Sequence, residues 1–323
     1  MNIASKGKHP DAKISPWVWL RNWPWRLNFF LGRLLFADMD PLSHHLRSIL
    51  FMWRVRSKAG WKPRGDVLFS AKEFERHGYV LLKEAYSPDL VQRIREKATA
   101  ALAKPESRLP RQHAAPDGNH YSWYVKDLAA VVPEVRELLT DELIAAVEHH
   151  YRSYLKVYVA KCYRNDPVPE DTYAQRELHS NHWHFDHHRA VGLIKVFYLV
   201  NAVTDEDGPL CLQPRPRTLD LMRNGFGDRD DYRLSKSEME DPEHVFKLTG
   251  PAGTVVVCDT TICLHRAGKV APGRHRDIIQ FHLMPSNAPL SKNWFEDPKV
   301  THLSDVLLGL HEHTTLPTAE RRR

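Results

Sequence analysis

Cysteine is scarce: Cys162, Cys211, Cys258 and Cys263 are the four in 323 residues, and no two form a CxxC pair. They lie inside apolar, strand-like runs and read as buried free thiols in a reducing compartment. That excludes a disulfide frame and a zinc knuckle. No apolar run approaches the roughly 18 residues that a membrane-spanning helix needs. The opening residues, "MNIASKGKHPDAKISP", are polar and lack an apolar core, so no cleavable signal peptide is expected. Internal repeats and low-complexity tracts are absent. Acidic residues are rare at one end only: residues 1–65 hold 12 Lys/Arg against 3 Asp/Glu, a net of +9, whereas the whole chain carries +6, so the remainder carries −3. The expectation is a cytoplasmic protein of ordinary globular composition, 42% apolar and 27% charged.

What is present divides the chain. Residues 1–65 form a basic, helical N-terminal extension that also holds six of the nine tryptophans, Trp17, Trp19, Trp23, Trp25, Trp53 and Trp61. Leu27, Phe30, Leu31, Leu34 and Leu35 fall at helical spacing, and a second helix is expected from about Ser43 to Arg56. The plain reading is an extension packed on the core domain. The sharper one is peripheral contact at the inner face of a membrane through residues 17–60, or contact with a lipid-linked substrate. No nucleic-acid motif is recognised, and no nucleic-acid partner is expected.

Residues 66–323 read as one core domain. A helix ending near His77, a turn at Gly78 and a strand "YVLLKEA" lead to a helix with clear start signals: Ser87 as N-cap, Pro88 at the first helical position and Asp89 in the first turn. Leu90, Ile94 and Ala98 form its buried stripe, and residues 133–153 are again helical. The second half is strand-rich, with candidates at 154–164, the histidine block, 192–203, 208–214, 253–261 and 276–285. Few helices intervene, which argues an antiparallel sandwich or barrel. Residues 215–247 are charged and read as an insertion or lid with a short helix at most.

The chemistry concentrates in "NHWHFDHH" at 181–188. On a strand His182, His184, Asp186 and His188 share a face, so His184 and Asp186 can clamp one metal ion. Two histidines and one carboxylate suit the facial triad of non-haem Fe(II) oxygenases, and His265, directly after a strand, fits as the distant third ligand. HxD alone is weak in a chain with 20 histidines. The order strengthens it: strand, HxD, apolar strand, Gly-Pro turn, strand, His265, then Arg276. A guanidinium at that place is the natural partner for the distal carboxylate of a 2-oxo diacid.

Over roughly residues 70–285 the chain resembles the phytanoyl-CoA dioxygenase family of Fe(II)/2-oxoglutarate-dependent oxygenases. "FERHGYVLLKEAYSPDLVQRIR", "HFDHH", "DEDGPLCLQP", "AGTVVVCDTTICLHRAG" and "GRHRDIIQFHL" follow one another in the family's order. The resemblance implies a mainly β fold, a double-stranded β-helix (jelly-roll, cupin-like) core flanked by helices. It implies His184, Asp186 and His265 as iron ligands, Arg276 as salt-bridge partner of the 2-oxoglutarate C5 carboxylate, and Arg274 as a weaker candidate for that role. Tyr198 and Lys126 are further expected cosubstrate contacts. The implied reaction consumes O2 and 2-oxoglutarate, releases succinate and CO2, and hydroxylates a C–H bond of a small-molecule or lipid-linked substrate. Related halogenases lack the carboxylate at the Asp186 position, so its presence favours hydroxylation. One departure is the turn "PRPRT" at 214–218, where the family commonly has a "PGSH"-like sequence. Arg215 and Arg217 there either favour an acidic substrate or belong to a solvated turn. Two rival readings stand beside this one: a zinc or cupin-type enzyme of other chemistry, which leaves Arg276 without a role, and a metal-free binding relative.

Overall fold

A computed structural model of the chain describes residues 42–301, except 112–113, 176–177, 179, 187–191, 229–230, 233 and 235, together with Leu27 and Leu31. The rest of the expected first helix, and His179, His187 and His188, lie outside the described residues. Helix α1 (Leu42–Ala59) is followed by α2 (Ala71–His77), strand β1 (Tyr79–Leu82) and α3 (Pro88–Ala103). The start of α3 is as its residues dictate: Ser87 is extended, and its hydroxyl accepts the Leu90 N–H at 3.3 Å. Short strands β2 (Arg108–Pro110) and β3 (Ser122–Val125), helix α4 (Leu128–Val131) and helix α5 (Asp141–Tyr151) complete the N-terminal half. The helix expected over 133–153 is two pieces, because Pro133 starts a separate 3-10 turn and Thr140 caps α5 anew.

The second half supplies the long strands β4 (Tyr154–Asn165), β5 (Ile194–Leu199), β10 (Val255–Asp259) and β12 (Arg276–Ser286). With β1, β3 and β2 they form a seven-stranded antiparallel sheet in the order β1-β10-β5-β12-β4-β3-β2. Opposite it lies a smaller sheet of β11 (His265–Ala267), β6 (Leu210–Leu212) and β9 (Phe246–Lys247). Two antiparallel sheets facing one another across a buried layer, with helices behind the larger one, make a double-stranded β-helix core.

Strand parity sorts the core into two layers. Ile194, Val196, Tyr198, Val255, Val257, Ile279 and Phe281 point outward against Leu90, Ile94 and Ala98 of α3 and Leu143, Val147 and Tyr151 of α5. Phe197, Leu199, Val256, Cys258 and Ile278 point inward, against Leu210 and Leu212 of the small sheet. β5 and β10 are therefore buried on both faces, which is why they read as unbroken apolar runs. All four cysteines are buried and unpaired, and burial pushes their thiols up.

Two expectations need correction. The described part of the histidine block is not a strand: among residues 181–186 only His184 makes a bridge, to His265, after which Asp186 N–H turns to the Thr260 carbonyl. Residues 215–247 carry more than a short helix, with α6 (Glu170–Gln175) preceding them and α7 (Arg215–Arg223), the β7 (Phe226–Asp228) and β8 (Asp231–Tyr232) hairpin and α8 (Lys236–Met239) within them. Their apolar residues Leu221, Met222, Phe226 and Met239 pack on Trp183, Phe185 and Leu264, so this charged segment has a buried underside.

One ion pair pins the start of β12. Arg164 Nε and Nη2 donate to Asp277 Oδ1 and Oδ2, each at 2.7 Å, and Asn201 Nδ2 donates to Oδ2 at 2.8 Å. The Asp277 side chain is wholly buried. Its loss would leave the Arg164 guanidinium desolvated without its carboxylate, so Asp277→Ala is expected to cost about 3–5 kcal/mol, read from urea denaturation.

Candidate metal and cosubstrate site

The site begins with backbone. His184 and His265 exchange both N–H···O=C bonds, each at 3.1 Å, and this pair sets their rings 4.3 Å apart, centre to centre. His184 Nδ1 lies 2.8 Å from the His182 carbonyl oxygen, and His265 Nδ1 lies 3.2 Å from that of Cys263. A carbonyl only accepts, so each Nδ1 carries the proton and each Nε2 carries the lone pair. Asp186 joins them, with Oδ2 3.8 Å from His265 Nε2, and one donor atom from each of the three residues falls within 4.8 Å of the others. Two imidazole nitrogens and a carboxylate oxygen, all on buried or nearly buried side chains, are a donor set for a borderline divalent ion such as Fe(II).

Lys195, on the inner face of β5, places Nζ 2.5 Å from Asp186 Oδ2. Burial alone pushes the Asp186 carboxyl up. The Lys195 ammonium and the two imidazoles outweigh it, holding the group well below the usual carboxylate range and therefore ionised. Sequence reasoning did not single out Lys195, although it is the one cation in the apolar run "GLIKVFYLVN".

Arg276 opens β12 and is 3% exposed. Its Nη1 donates to the Gly208 carbonyl, and the hydrogen-bond network assigns the Asn165 amide with its oxygen 2.6 Å from Nη2. Among the described residues Nε has no hydrogen-bond partner and no carboxylate pairs with this guanidinium. A buried, always-charged fork with an unused N–H fits a carboxylate of a bound diacid. Arg274, the weaker candidate, is engaged elsewhere: it pairs with Asp207 at 2.8 and 3.1 Å and holds the turn that presents Gly208.

Tyr198 and Lys126 are not at this cluster. Tyr198 has the parity of Val196 and so faces outward, fully buried beside Tyr86 at 5.8 Å, while Phe197 and Leu199 take the inward positions. Lys126 lies one residue past β3, exposed, with Nζ donating to the Glu106 carbonyl at 2.7 Å. Arg215 and Arg217 are likewise spent on the carbonyls of Glu75 and Glu238. His182 contributes through its backbone carbonyl.

Residues 74–287, more than half of the chain, match the family model described as phytanoyl-CoA dioxygenase (PhyH). The chain belongs to the phytanoyl-CoA dioxygenase family. This is a family of Fe(II)- and 2-oxoglutarate-dependent oxygenases, and the His184, Asp186 and His265 cluster is a metal site of the kind such enzymes use. No curated protein matches the chain. Solved structures similar to it include the non-heme alpha ketoglutarate dependent epimerase SnoN from nogalamycin biosynthesis, at 18% identity, TM-score 0.46, covering 67% of this chain and 81% of that one. EctD from S. alaskensis with 2-oxoglutarate and 5-hydroxyectoine shows 19% identity and TM-score 0.47 over 70% of this chain and 80% of that one. HygX from Streptomyces hygroscopicus with nickel, 2-oxoglutarate and hygromycin B shows 15% identity and TM-score 0.45 over 66% and 85%.

Gly208 deserves a test as the residue that positions Arg276 in this family member. Its φ is +67°, and an added Cβ would lie 2.7 Å from the Gly268 carbonyl oxygen and 2.8 Å from the Val270 nitrogen. These are backbone atoms and cannot step aside. Gly208→Ala is expected to cost about 1–3 kcal/mol in strain and to weaken 2-oxoglutarate binding, measured by thermal unfolding and calorimetric titration.

Proposed function

We propose that the protein is an Fe(II)- and 2-oxoglutarate-dependent dioxygenase that hydroxylates an unactivated C–H bond of a small-molecule substrate. The observation that carries this reading is the convergence of His184, Asp186 and His265 on one point with the buried, carboxylate-free Arg276 on the same inner wall. Bound iron supplies the coupling of O2 reduction and 2-oxoglutarate decarboxylation, with release of succinate and CO2, to oxidation of a substrate C–H bond. The protein's part is orientation. His184 and His265 present Nε2 because backbone carbonyls hold Nδ1, and Lys195 braces the Asp186 carboxylate in its ionised form. Arg276 receives the distal carboxylate of 2-oxoglutarate. Phe197 and Leu199, on the inner face, keep water from the pocket wall. Asp186 occupies the third ligand position with a carboxylate, which supports hydroxylation over halogenation. Zinc chemistry would use the same three donors but would leave Arg276 idle.

The test is anaerobic reconstitution with Fe(II), followed by O2 and a metabolite and lipid-extract screen read by succinate release. Wild type should turn over 2-oxoglutarate. His184→Ala should reduce this to background, and Arg276→Ala should raise the 2-oxoglutarate KM at least ~tenfold, the order expected for losing a charge-assisted fork. Full activity in either variant would refute the role given to that residue.

A second reading concerns the extension. Leu46, Ile49, Leu50 and Trp53 fall on one stripe of α1 and are 46–64% exposed, while Val55 and Ala59 are buried and Arg56 Nε donates to the Tyr151 carbonyl at 2.8 Å. No helix among the described residues is long and apolar enough to cross a membrane. An apolar stripe with Arg47, Arg54 and Lys58 on the same helix supports peripheral contact with an anionic lipid surface. Ile49→Glu with Trp53→Glu should abolish cosedimentation with phosphatidylserine liposomes. Unchanged cosedimentation would end this reading.

A further inference from the structure

The inner wall holds more positive charge than one diacid uses. Lys161, at the inward parity of β4 with Tyr163, is 5% exposed. Among the described residues its ammonium has neither a hydrogen bond nor a carboxylate partner; its neighbours are the Tyr124 and Tyr163 rings, 5.7 and 5.9 Å from Nζ. Arg111, which follows β2 and is partly buried, stacks over the Tyr163 ring at 4.5 Å and donates Nε–H to Tyr124 Oη at 3.2 Å. No carboxylate pairs with it either among the described residues. Burial, then the Arg111 and Lys195 charges, push the Lys161 ammonium well below its usual range, against the opposing pull of Asp186.

Desolvated cations without partners are costly, and a chain keeps them where a ligand supplies the missing charge. Four basic residues, Arg111, Lys161, Lys195 and Arg276, stand on this inner wall, and among the described residues Asp186 is the acid that answers them. A divalent metal adds two positive charges, and 2-oxoglutarate brings two negative ones. These cancel, so a metal and cosubstrate leave the excess of basic groups on the wall unanswered. Position separates Lys161 from Arg276, while Arg111 lies between them, its Nη1 3.4 Å from the Asn165 amide that also meets Arg276. Arg276 lies opposite Asn165 in the β4–β12 register, and Lys161 lies opposite Gln280, four residues along, or about 13 Å at the usual rise of a strand.

Resting on the oxygenase reading, we propose that Lys161, with Arg111 beside it, forms a second anion subsite on the β3–β4 wall, separate from Arg276, and that the primary substrate carries a carboxylate or phosphate group held there. This subsite replaces Arg215 and Arg217 as the basis for an acidic substrate. It places the acid group inside the barrel rather than at its rim.

The experiment titrates inorganic phosphate into the full-length protein loaded with Ni(II) and saturating 2-oxoglutarate, by calorimetry. Wild type should bind phosphate, and Lys161→Met and Arg111→Met should each weaken that binding at least ~tenfold, the order expected when a charged partner is removed. In a separate titration, 2-oxoglutarate affinity should stay within about twofold in Lys161→Met and fall at least ~tenfold in Arg276→Met. The Tm of Lys161→Met should equal or exceed that of wild type, because a desolvated charge is exchanged for an apolar chain of similar length. The proposal is overturned if Lys161→Met loses 2-oxoglutarate as Arg276→Met does, since the cations then serve the cosubstrate. It is also overturned if phosphate does not distinguish wild type from variant, if the Met variant loses several degrees of Tm, or if the succinate-release screen returns a neutral substrate. Lys161-dependent phosphate binding in a protein that takes up neither Ni(II) nor 2-oxoglutarate would sink the oxygenase reading and leave the subsite standing.

Discussion

The antiparallel bridge between His184 and His265 is the contact on which the site depends. Two backbone hydrogen bonds join a segment with almost no strand of its own to the first residue of β11. Because the two residues face one another as a pair, their rings are forced to the same side and their Nε2 atoms to the same point. Asp186 then follows at the same parity and is fixed by Thr260, a residue of the β10–β11 connection that also carries the Cys263 carbonyl. The pairing thus sets the two rings side by side, the His182 and Cys263 carbonyls fix their tautomers, and the Thr260 carbonyl holds Asp186. A side-chain hydrogen bond could not do this, because it would leave the strand register undetermined.

Around that point the protein spends its buried charge unevenly. Where a charge is structural, it is matched: Arg164 with Asp277, Arg274 with Asp207, Arg266 with Glu240. On the inner wall, among the described residues, the cations outnumber the acids. Arg276 owes its availability to the Arg274–Asp207 pair, which holds the turn whose Gly208 carbonyl orients the guanidinium without neutralising it. A carbonyl steers a cation while leaving its charge for a ligand, and a carboxylate in the same place would have cancelled it.

Much of the architecture was legible in the residues. Ser87 and Pro88 announced α3, the Gly78 turn ended α2 at a φ of 77°, and β4 and β12 were read nearly to their ends. The histidine block was over-read as a strand, because its alternation of side chains suits a strand although only one bridge holds its described residues. The charged segment 215–247 was under-read: its helices bury small apolar faces against Trp183 and Leu264, and a high average charge conceals such a pattern.

The sequence by itself determined the ligand types and their order: His184 and Asp186 at a spacing that shares a face, His265 after a strand, and Arg276 at the start of the next. Tertiary structure decided what faces them. Tyr198, Phe197 and Lys195 sit in one strand buried on both sides, and no polar alternation marks which parity points inward. Only the helices packed behind the large sheet make Tyr198 an outer residue and leave Phe197 and Lys195 inside. Lys161 and Arg111 likewise meet only because β4, β3 and β2 pair in that order. Their joint charge is a property of the assembled wall, and no stretch of sequence contains it.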